Sequence, residues 1–231
     1  MFLIDYLRLL NVLTRYRTRE QFFEYMTRWT PFDIHKKESI RVTYALMEKQ
    51  FEGVRRESGG PYMDHLRSVA IILMIHLGVI DPDEILAALL HDVTEHFPEE
   101  WPNTRIEEMY GRPVAYLVDT MSKLPVIWIP GETGRDYEKR VEARNRQYHL
   151  RFRTAKKAAV RLKMSDWMHN ILTLIYCAPD KQRRKWLEAL EYALPRALEH
   201  NVLHGELWTA LHSPVLFTFP SIPGPAPRLL A

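Results

Sequence analysis

A chain of 231 residues, with 46% hydrophobic and 26% charged side chains, has the size and composition of one soluble domain that buries a core. The formal net charge of +3 is too small to indicate a nucleic-acid partner by itself, and it is compatible with a small anionic substrate. Neither nucleic acid nor a membrane is therefore an expected partner.

The sequence carries no signal for export or membrane insertion. Asp5 and Arg8 interrupt the N-terminal apolar run too early for a signal peptide. The longest apolar stretch, from Val69 to Ile80, is too short to span a bilayer. Cys177 is the single cysteine and cannot form an internal disulfide, so we expect a buried structural thiol in a reducing compartment. These features predict a cytoplasmic protein.

Helical spacing of apolar residues dominates the chain, which predicts an all-α fold. In chain order, the predicted helices are two within residues 3–29, then about 39–51, 64–77, 84–96, 104–111, 113–122, 136–152, 155–176, 179–199 and 201–212. Residues 125–134 are predicted to form a loop. We predict a helical bundle with extra helices at its N-terminal end.

Two helix starts carry capping signals. Asp81 is the predicted N-cap of its helix, with Pro82 at the first helical position and Glu84 completing a capping-box-like pattern. Thr104 and Glu107 form a second predicted capping box.

The chain divides into three segments by pattern. Residues 1–36 are predicted to form an N-terminal helical segment, and residues 37–212 the main domain. Residues 213–231 contain five prolines and are predicted to form an extended or disordered tail. The oligomeric state and the role of the tail stay open at this stage.

Two imidazoles and two carboxylates stand out as a candidate metal-binding set: His65, His91, Asp92 and Asp166. Imidazole nitrogen and carboxylate oxygen together suit a divalent transition metal such as manganese, iron or zinc. Asp92 follows an apolar run that ends at Leu90, and a carboxylate at the end of a buried face needs a partner. A metal ion would supply that partner.

A proton-transfer group is predicted beside this set. His91 and Glu95 are four residues apart, so the predicted helix 84–96 places them on one face, and Asp166 and Asn170 are spaced in the same way. A metal could hold a water and lower its pKa, while Glu95 handles the proton.

Four segments, in this order, carry a resemblance to a known family: GVRRESGGPYMDH (53–65), AALLHD (87–92), GRPVAYLV with SKL (111–118 and 122–124), and RLKMSDWMHN with Thr173 (161–173). The order H…HD…D resembles the HD superfamily of metal-dependent phosphohydrolases. The four segments together resemble the guanosine tetraphosphate hydrolases, which include the hydrolase half of the Rel and SpoT proteins and small one-domain relatives. The similarity covers about residues 45–200.

The resemblance implies an all-α HD domain and a role for each matching residue. It implies metal ligands at His65, His91, Asp92 and Asp166, with manganese as the usual ion. It implies that Glu95 helps to activate the attacking water. His96, the next residue, is a second catalytic candidate on its own chemistry, since it departs from the family pattern. It implies nucleotide contacts at Arg56, Ser58, Lys163, Asn170 and Thr173, and cationic side chains suit a substrate that carries several phosphates.

Three positions depart from the family pattern. His96 replaces the second of two adjacent acids, and it could still carry a proton near neutral pH. Leu66 replaces the usual proline after His65. Glu57 stands where relatives often have a second basic residue, which makes recognition of the same base less secure.

The predicted function is removal of the 3′-pyrophosphate from a guanosine alarmone by an HD-domain hydrolase. One alternative keeps the metal chemistry and changes the substrate to an adenosine alarmone, another 3′-phosphorylated nucleotide or a nucleoside monophosphate; Glu57 and His96 are its motivation. A second alternative is a protein that binds a nucleotide or a partner without catalysis. The complete ligand set and Glu95 argue against the second.

Overall fold

The computed structural model describes residues 2–123 and 125–213. The helices are α1 (Phe2–Arg15), α2 (Arg19–Trp29), α3 (Ile34–Gln50), α4 (Met63–Ile71), α5 (Pro82–Leu90), α6 (Val93–His96), α7 (Asn103–Tyr110), α8 (Arg112–Met121), α9 (Gly134–Arg151), α10 (Lys157–Leu172), α11 (Pro179–Glu188), α12 (Leu194–His200) and α13 (His204–His212). A π-helical turn extends α4 through His76, another joins α11 to α12, and a 3-10 turn follows α10.

The all-α prediction is confirmed. Across residues 2–123 and 125–213 the backbone forms no sheet strand, and an isolated antiparallel bridge joins Arg55 to Pro61. Within the same residues, no helix is long and apolar enough to cross a membrane. The predicted tail lies outside the described residues, apart from Ser213, and so does Leu124 of the third family segment.

Several predicted helix boundaries are wrong. α3 begins at Ile34, earlier than the predicted start near residue 39, because the Asp33 side chain caps it by accepting a hydrogen bond from Lys36 N at 2.9 Å. The predicted helix 155–176 ends as an α-helix at Leu172. The predicted helix 84–96 is also interrupted, and this break lies in the candidate site described below.

One of the two predicted capping signals works as expected. Asp81 caps α5 by accepting a hydrogen bond from Asp83 N at 2.9 Å, with Pro82 at the first helical position. Glu84 does not complete a box, because its buried carboxylate accepts hydrogen bonds from the Arg161 guanidinium on α10. The predicted box at Thr104 is absent, because α7 begins at Asn103 and its start makes no side-chain cap.

Arg161→Ala is expected to destabilise the fold by about 3 kcal/mol, since it leaves the Glu84 carboxylate buried without its partner. Urea unfolding followed by circular dichroism measures the change. Arg112→Ala is the matched control, because its ion pair with Glu107 is highly exposed and should contribute under about 1 kcal/mol. Equal losses in the two variants would contradict this account of the buried pair.

Two buried apolar clusters form the core, and α10 contributes to both. The larger cluster includes Tyr44, Leu66 and Leu89 from the first half of the bundle, together with Leu162 of α10. The smaller cluster joins α1, α12 and α13 to the opposite face of α10, which contributes Met164. Because α10 is packed on both faces, the polar residues that it carries are held in fixed positions.

The ends of the described chain pack against each other. α1 lies along α13, and it also contacts α4 and the π-helical turn that follows. A Cβ at position 205 would lie 2.6 Å from Cδ1 of Phe2, so Gly205 permits the close approach of the two helices. The division of the chain at residue 36 stays a prediction.

Candidate active site

Three neighbouring helices bring the predicted metal ligands together. His65 lies on α4 and Asp166 on α10, while His91 and Asp92 follow α5. α4, α5 and α10 all pack against one another. The apolar side chains that surround each ligand on its helix therefore fix where the four polar groups meet.

The helix predicted for residues 84–96 is broken at His91 and Asp92, contrary to our expectation. α5 ends at Leu90 and α6 begins at Val93, with Asp92 at φ −104° and ψ −5° between them. A continuous helix would point adjacent side chains about 100° apart. The turn instead lets the His91 imidazole and the Asp92 carboxylate approach each other, with 3.2 Å between Nε2 and Oδ2.

The four groups form a compact, largely buried cluster. His65 Nε2 lies 3.3 Å from Asp166 Oδ1 and 3.5 Å from Asp92 Oδ2. His91 Nε2 lies 3.7 Å from Asp166 Oδ1. One ligand atom each from His65, His91 and Asp92 can be chosen so that all lie within 4.8 Å of one another, close enough to share one ion.

The hydrogen bonds of His91 fit a metal ligand. Its Nδ1 lies 2.8 Å from the Ala88 carbonyl oxygen, which can only accept, so Nδ1 carries the proton. The buried Nε2 atom has no hydrogen-bond partner. A buried ring nitrogen with a free lone pair, aimed at two carboxylates, fits coordination of a cation.

The electrostatics of the cluster also favour a cation. Burial alone would raise the pKa of the Asp92 and Asp166 carboxyls, but the charges of His91 and Lys163, respectively, hold the pKa of each well below its usual range. Burial lowers the pKa of His91, yet the neighbouring carboxylates of Asp92 and Asp166 together outweigh burial and raise the value to about 10. The pocket thus attracts positive charge, which a divalent cation supplies while the imidazole stays neutral.

Tyr62 and His169 support the ligands, and sequence reasoning gave neither of them a role. The Tyr62 hydroxyl donates a hydrogen bond to Asp92 Oδ2 at 2.7 Å. Nδ1 of His169 lies 2.8 Å from Nδ1 of His65, and burial together with His65 holds the pKa of His169 well below its usual range. Neutral His169 can accept a hydrogen bond from His65 Nδ1–H, and this tautomer leaves His65 Nε2 unprotonated and facing the carboxylates. The position of His169 three residues after Asp166 was the available signal.

Tyr62→Phe is expected to weaken divalent-metal affinity roughly tenfold, because Asp92 loses the donor that orients it. Manganese titration monitored by calorimetry measures this affinity. Tyr137→Phe is the matched control, since its hydroxyl bonds a carbonyl of the 125–133 segment. Equal affinities in Tyr62→Phe and the unmodified protein would show that the phenol does not orient a ligand.

The ligand cluster opens into a cavity of about 420 Å³ that all five predicted substrate-contact residues line: Arg56, Ser58, Lys163, Asn170 and Thr173. Arg56 Nη2 donates to Asn170 Oδ1 at 2.7 Å, and Asn170 Nδ2 donates to Asp166 Oδ1 at 2.6 Å. Lys163 is buried and its Nζ bonds Asp166 Oδ2 at 3.0 Å. Lys163 and Asn170 are therefore linked to the metal-ligand cluster by direct hydrogen bonds, and Arg56 is linked to it through Asn170.

Glu95 and His96 also line the cavity. Glu95 accepts a hydrogen bond from the Lys123 backbone N–H at 2.7 Å. Enclosure by the cavity walls and the charge of Asp92 raise the pKa of the Glu95 carboxyl. The His96 ring packs edge-on against Tyr62, with 4.6 Å between ring centroids. Glu95 thus has the setting of a group that exchanges protons.

Three cavity lysines, Lys123, Lys181 and Lys185, had no predicted role. Lys123 and Lys185 line the cavity beside Lys163, and Glu188 lies within ion-pair distance of both. Burial and the neighbouring charges of Lys163 and Lys185 lower the pKa of Lys123 to about 8. Crowded cations of this kind provide a favourable environment for an anion.

The prediction of a buried structural thiol at Cys177 is wrong. Cys177 is partly exposed and lines the cavity, where its Sγ donates to Glu57 Oε2 at 2.7 Å. Sequence spacing could not reveal this contact, since the two residues are 120 positions apart.

Comparisons with known proteins agree with the fold. A family model described as HD domain matches residues 43–191. A structure described as a metazoan ortholog of SpoT that hydrolyses ppGpp superimposes with a TM-score of 0.63 at 18% identity, covering 78% of this chain and 97% of that one. At this identity the superposition supports a shared fold.

Curated relatives are similar over the same region. The bifunctional (p)ppGpp synthase/hydrolase SpoT of Escherichia coli K12 is 33% identical over 165 residues, which are 71% of this chain and 22% of SpoT. The guanosine-3′,5′-bis(diphosphate) 3′-pyrophosphohydrolase of Haemophilus influenzae is 35% identical over 170 residues, which are 70% of this chain and 23% of that protein. The chain therefore spans about a fifth of the length of the curated relatives that it matches.

Proposed function

This chain belongs to the HD-domain family, and from that membership we propose that it is a metal-dependent hydrolase that removes the 3′-pyrophosphate from guanosine tetraphosphate. Water would be consumed, and the products would be guanosine diphosphate and pyrophosphate. Relatives named as 3′-pyrophosphohydrolases of this nucleotide support the choice of substrate.

One observation carries the proposal. The unpartnered Nε2 atom of buried His91 faces Asp92 and Asp166 at the wall of a cavity that also contains basic side chains. A cation site beside a cationic pocket is the arrangement that hydrolysis of a phosphate ester requires, since both the attacking oxygen and the phosphate carry negative charge.

We propose His65, His91, Asp92 and Asp166 as the ligands and Mn²⁺ as the preferred ion. Mixed imidazole and carboxylate donors suit manganese, and other divalent ions can occupy such a set. When bound, the metal supplies Lewis acidity at the scissile phosphate. Tyr62 and Lys163 then orient the two carboxylates, and His169 sets the His65 tautomer.

Glu95 is proposed as the base that takes the proton from the attacking water. Its raised pKa keeps the carboxylate basic enough to accept this proton, and the bond from Lys123 N fixes its orientation. His96 lies on the same wall, against Tyr62, and is proposed to pass the proton on to solvent, as imidazoles can near neutral pH.

The cations around the cavity are proposed to bind the phosphates. Arg56 can offer a planar guanidinium to a phosphate, while Lys123 and Lys185 contribute point charges on the other side of the ligand cluster. Ser58, Asn170 and Thr173 supply neutral hydrogen-bonding groups for the sugar and the base.

The test is a panel of nucleotides incubated with protein loaded with manganese, magnesium or zinc. We expect guanosine tetraphosphate to yield equimolar guanosine diphosphate and pyrophosphate, fastest with manganese, with no product in excess chelator. The panel includes adenosine 3′,5′-bis(diphosphate) and nucleoside monophosphates. No turnover of guanosine tetraphosphate with any metal would refute the proposal.

A further inference from the structure

The two ends of the cavity differ in chemistry, as the chain of contacts along its wall shows. Glu57 bonds Cys177 and Lys181, and its sequence neighbour Arg56 bonds Asn170, which in turn bonds the metal-ligand candidate Asp166. On the far side of Asp166, its partner Lys163 lies 4.9 Å from the centre of the Tyr148 ring.

The lysine end of the cavity suits phosphates, whereas the Glu57 end combines a carboxylate with the cations Arg56 and Lys181. Lys123 shares the Tyr148 ring with Lys163, also at 4.9 Å, so positive charge gathers there. Apolar Leu174 lines the cavity together with Glu57. A carboxylate repels phosphate, whereas an apolar wall with a few polar groups accommodates a planar base.

Glu57 is held as an ionised acceptor by two neighbours. Its Oε2 atom accepts from Cys177 Sγ at 2.7 Å and from Lys181 Nζ at 2.8 Å. These two hydrogen bonds lower the pKa of the Glu57 carboxyl, and burial together with Glu57 raises the pKa of the Cys177 thiol, which stays a donor. Both bonds end on Oε2, so a strong acceptor and an adjacent ammonium group border the same cavity.

We infer that Glu57 and Lys181 form a guanine-recognition site that selects the base of the substrate. Guanine presents two adjacent donors, N1–H and the 2-amino group, next to the O6 acceptor. A carboxylate can accept from both donors while the ammonium group donates to O6. Adenine has an amino donor where guanine has O6, and an N1 acceptor where guanine has N1–H. Its amino group would meet the ammonium donor, and its N1 would meet the carboxylate acceptor.

This inference rests on the proposed function for the identity of the substrate. It assigns Glu57 a role in recognition of the base. From the sequence, an acid at this position made recognition of guanine less secure. In the structure, its contact with Lys181 gives the position a paired donor and acceptor. Both side chains are partly exposed, 42% for Lys181 and 46% for Glu57, and a bound base would cover them. A wrong base would then leave these polar groups unpaired, which is the basis of discrimination.

The experiment measures binding and turnover side by side. Manganese-loaded protein is titrated with guanosine, inosine and adenosine diphosphates by calorimetry, and kcat/KM is measured on the guanosine and adenosine 3′,5′-bis(diphosphates). Inosine keeps N1–H and O6 but lacks the 2-amino group. We expect affinity to fall from guanosine to inosine to adenosine, with a guanosine-to-adenosine ratio of roughly tenfold or more.

Two variants separate the contacts. Glu57→Gln should reduce the guanosine-to-adenosine ratio roughly tenfold and remove the preference for guanosine over inosine. Lys181→Met should weaken guanosine and inosine binding alike. Glu108→Gln on α7, an exposed glutamate outside the cavity lining, is the matched control, and melting temperatures confirm that all variants fold.

The outcomes distinguish this inference from the proposed function. Hydrolysis of guanosine and adenosine substrates at equal rates, with equal diphosphate affinities, would overturn base recognition and leave the hydrolase intact. A Glu57-dependent preference for guanosine diphosphate without any turnover would support the recognition site and refute the hydrolase. An unchanged guanosine-to-adenosine ratio in Glu57→Gln would exclude Glu57 from recognition.

Discussion

Asp92→Ala is expected to lose bound metal and to reduce turnover by more than about 100-fold, the upper end for residues that only support a ligand. The Asp92 carboxylate lies within 3.5 Å of both ligand-candidate imidazoles, at His65 and His91, so its removal takes away a proposed ligand and part of the negative potential that attracts a cation. Elemental analysis of the purified protein gives the metal content, and pyrophosphate release gives the rate.

Asp119→Ala is the matched control for that experiment. Asp119 is exposed on α8, outside the cavity lining, so its replacement should leave metal content and rate unchanged. If Asp92→Ala kept one metal per chain and full activity, the ligand assignment would be wrong. Circular dichroism of both variants shows whether a loss of metal reflects unfolding.

Glu95→Gln is expected to lower kcat by about 10²- to 10⁴-fold, the usual contribution of a positioned general base, with metal content retained. The amide keeps the shape of the side chain and can still accept the hydrogen bond from Lys123 N. It cannot take a proton. Exposed Glu99→Gln, outside the cavity lining, is the matched control.

The pH profile gives an independent readout of Glu95. The base must be ionised to act, and its raised pKa means that protonation begins at a higher pH than for an ordinary glutamate. Activity should therefore fall with decreasing pH on an acid limb displaced upward, and Glu95→Gln should lack that limb. An unshifted, unchanged limb in the variant would assign the titration to another group.

The four candidate ligands could be selected from the sequence because they stand in motifs of fixed order, and the structure brings them together. Apolar helical spacing predicted the all-α bundle around them. The break in the helix at His91 could not be predicted, because no glycine or proline marks it and the apolar run before it favours a continuous helix. The spacing of apolar residues indicates which segments favour a helix, whereas the break at His91 depends on the packing among α4, α5 and α10.

Polar contacts between residues far apart in the sequence were the other feature that local sequence patterns could not predict. Glu84 looked like a capping residue because its spacing from Asp81 fits, but its partner Arg161 lies 77 positions away. Lys123, which follows α8, lies within ion-pair distance of Glu188 at the end of α11, and no periodicity connects these two positions. Such pairs form because the tertiary fold brings the two residues together. A single sequence indicates this proximity only where it resembles a known family.

The pairing of α1 with α13 has a consequence for how the chain acquires its structure. These helices are separated by roughly 190 residues, so the contact between Phe2 and Gly205 closes a loop nearly as long as the described chain. During synthesis α1 can pack against α4 and the π-helical turn that follows it before α13 is made, but its contacts with α13 must wait until α13 has left the ribosome. The part of its apolar face that packs on α13 stays open to chaperones throughout that interval. Closure of the terminal helices should be among the last folding events, as expected for contacts of high sequence separation.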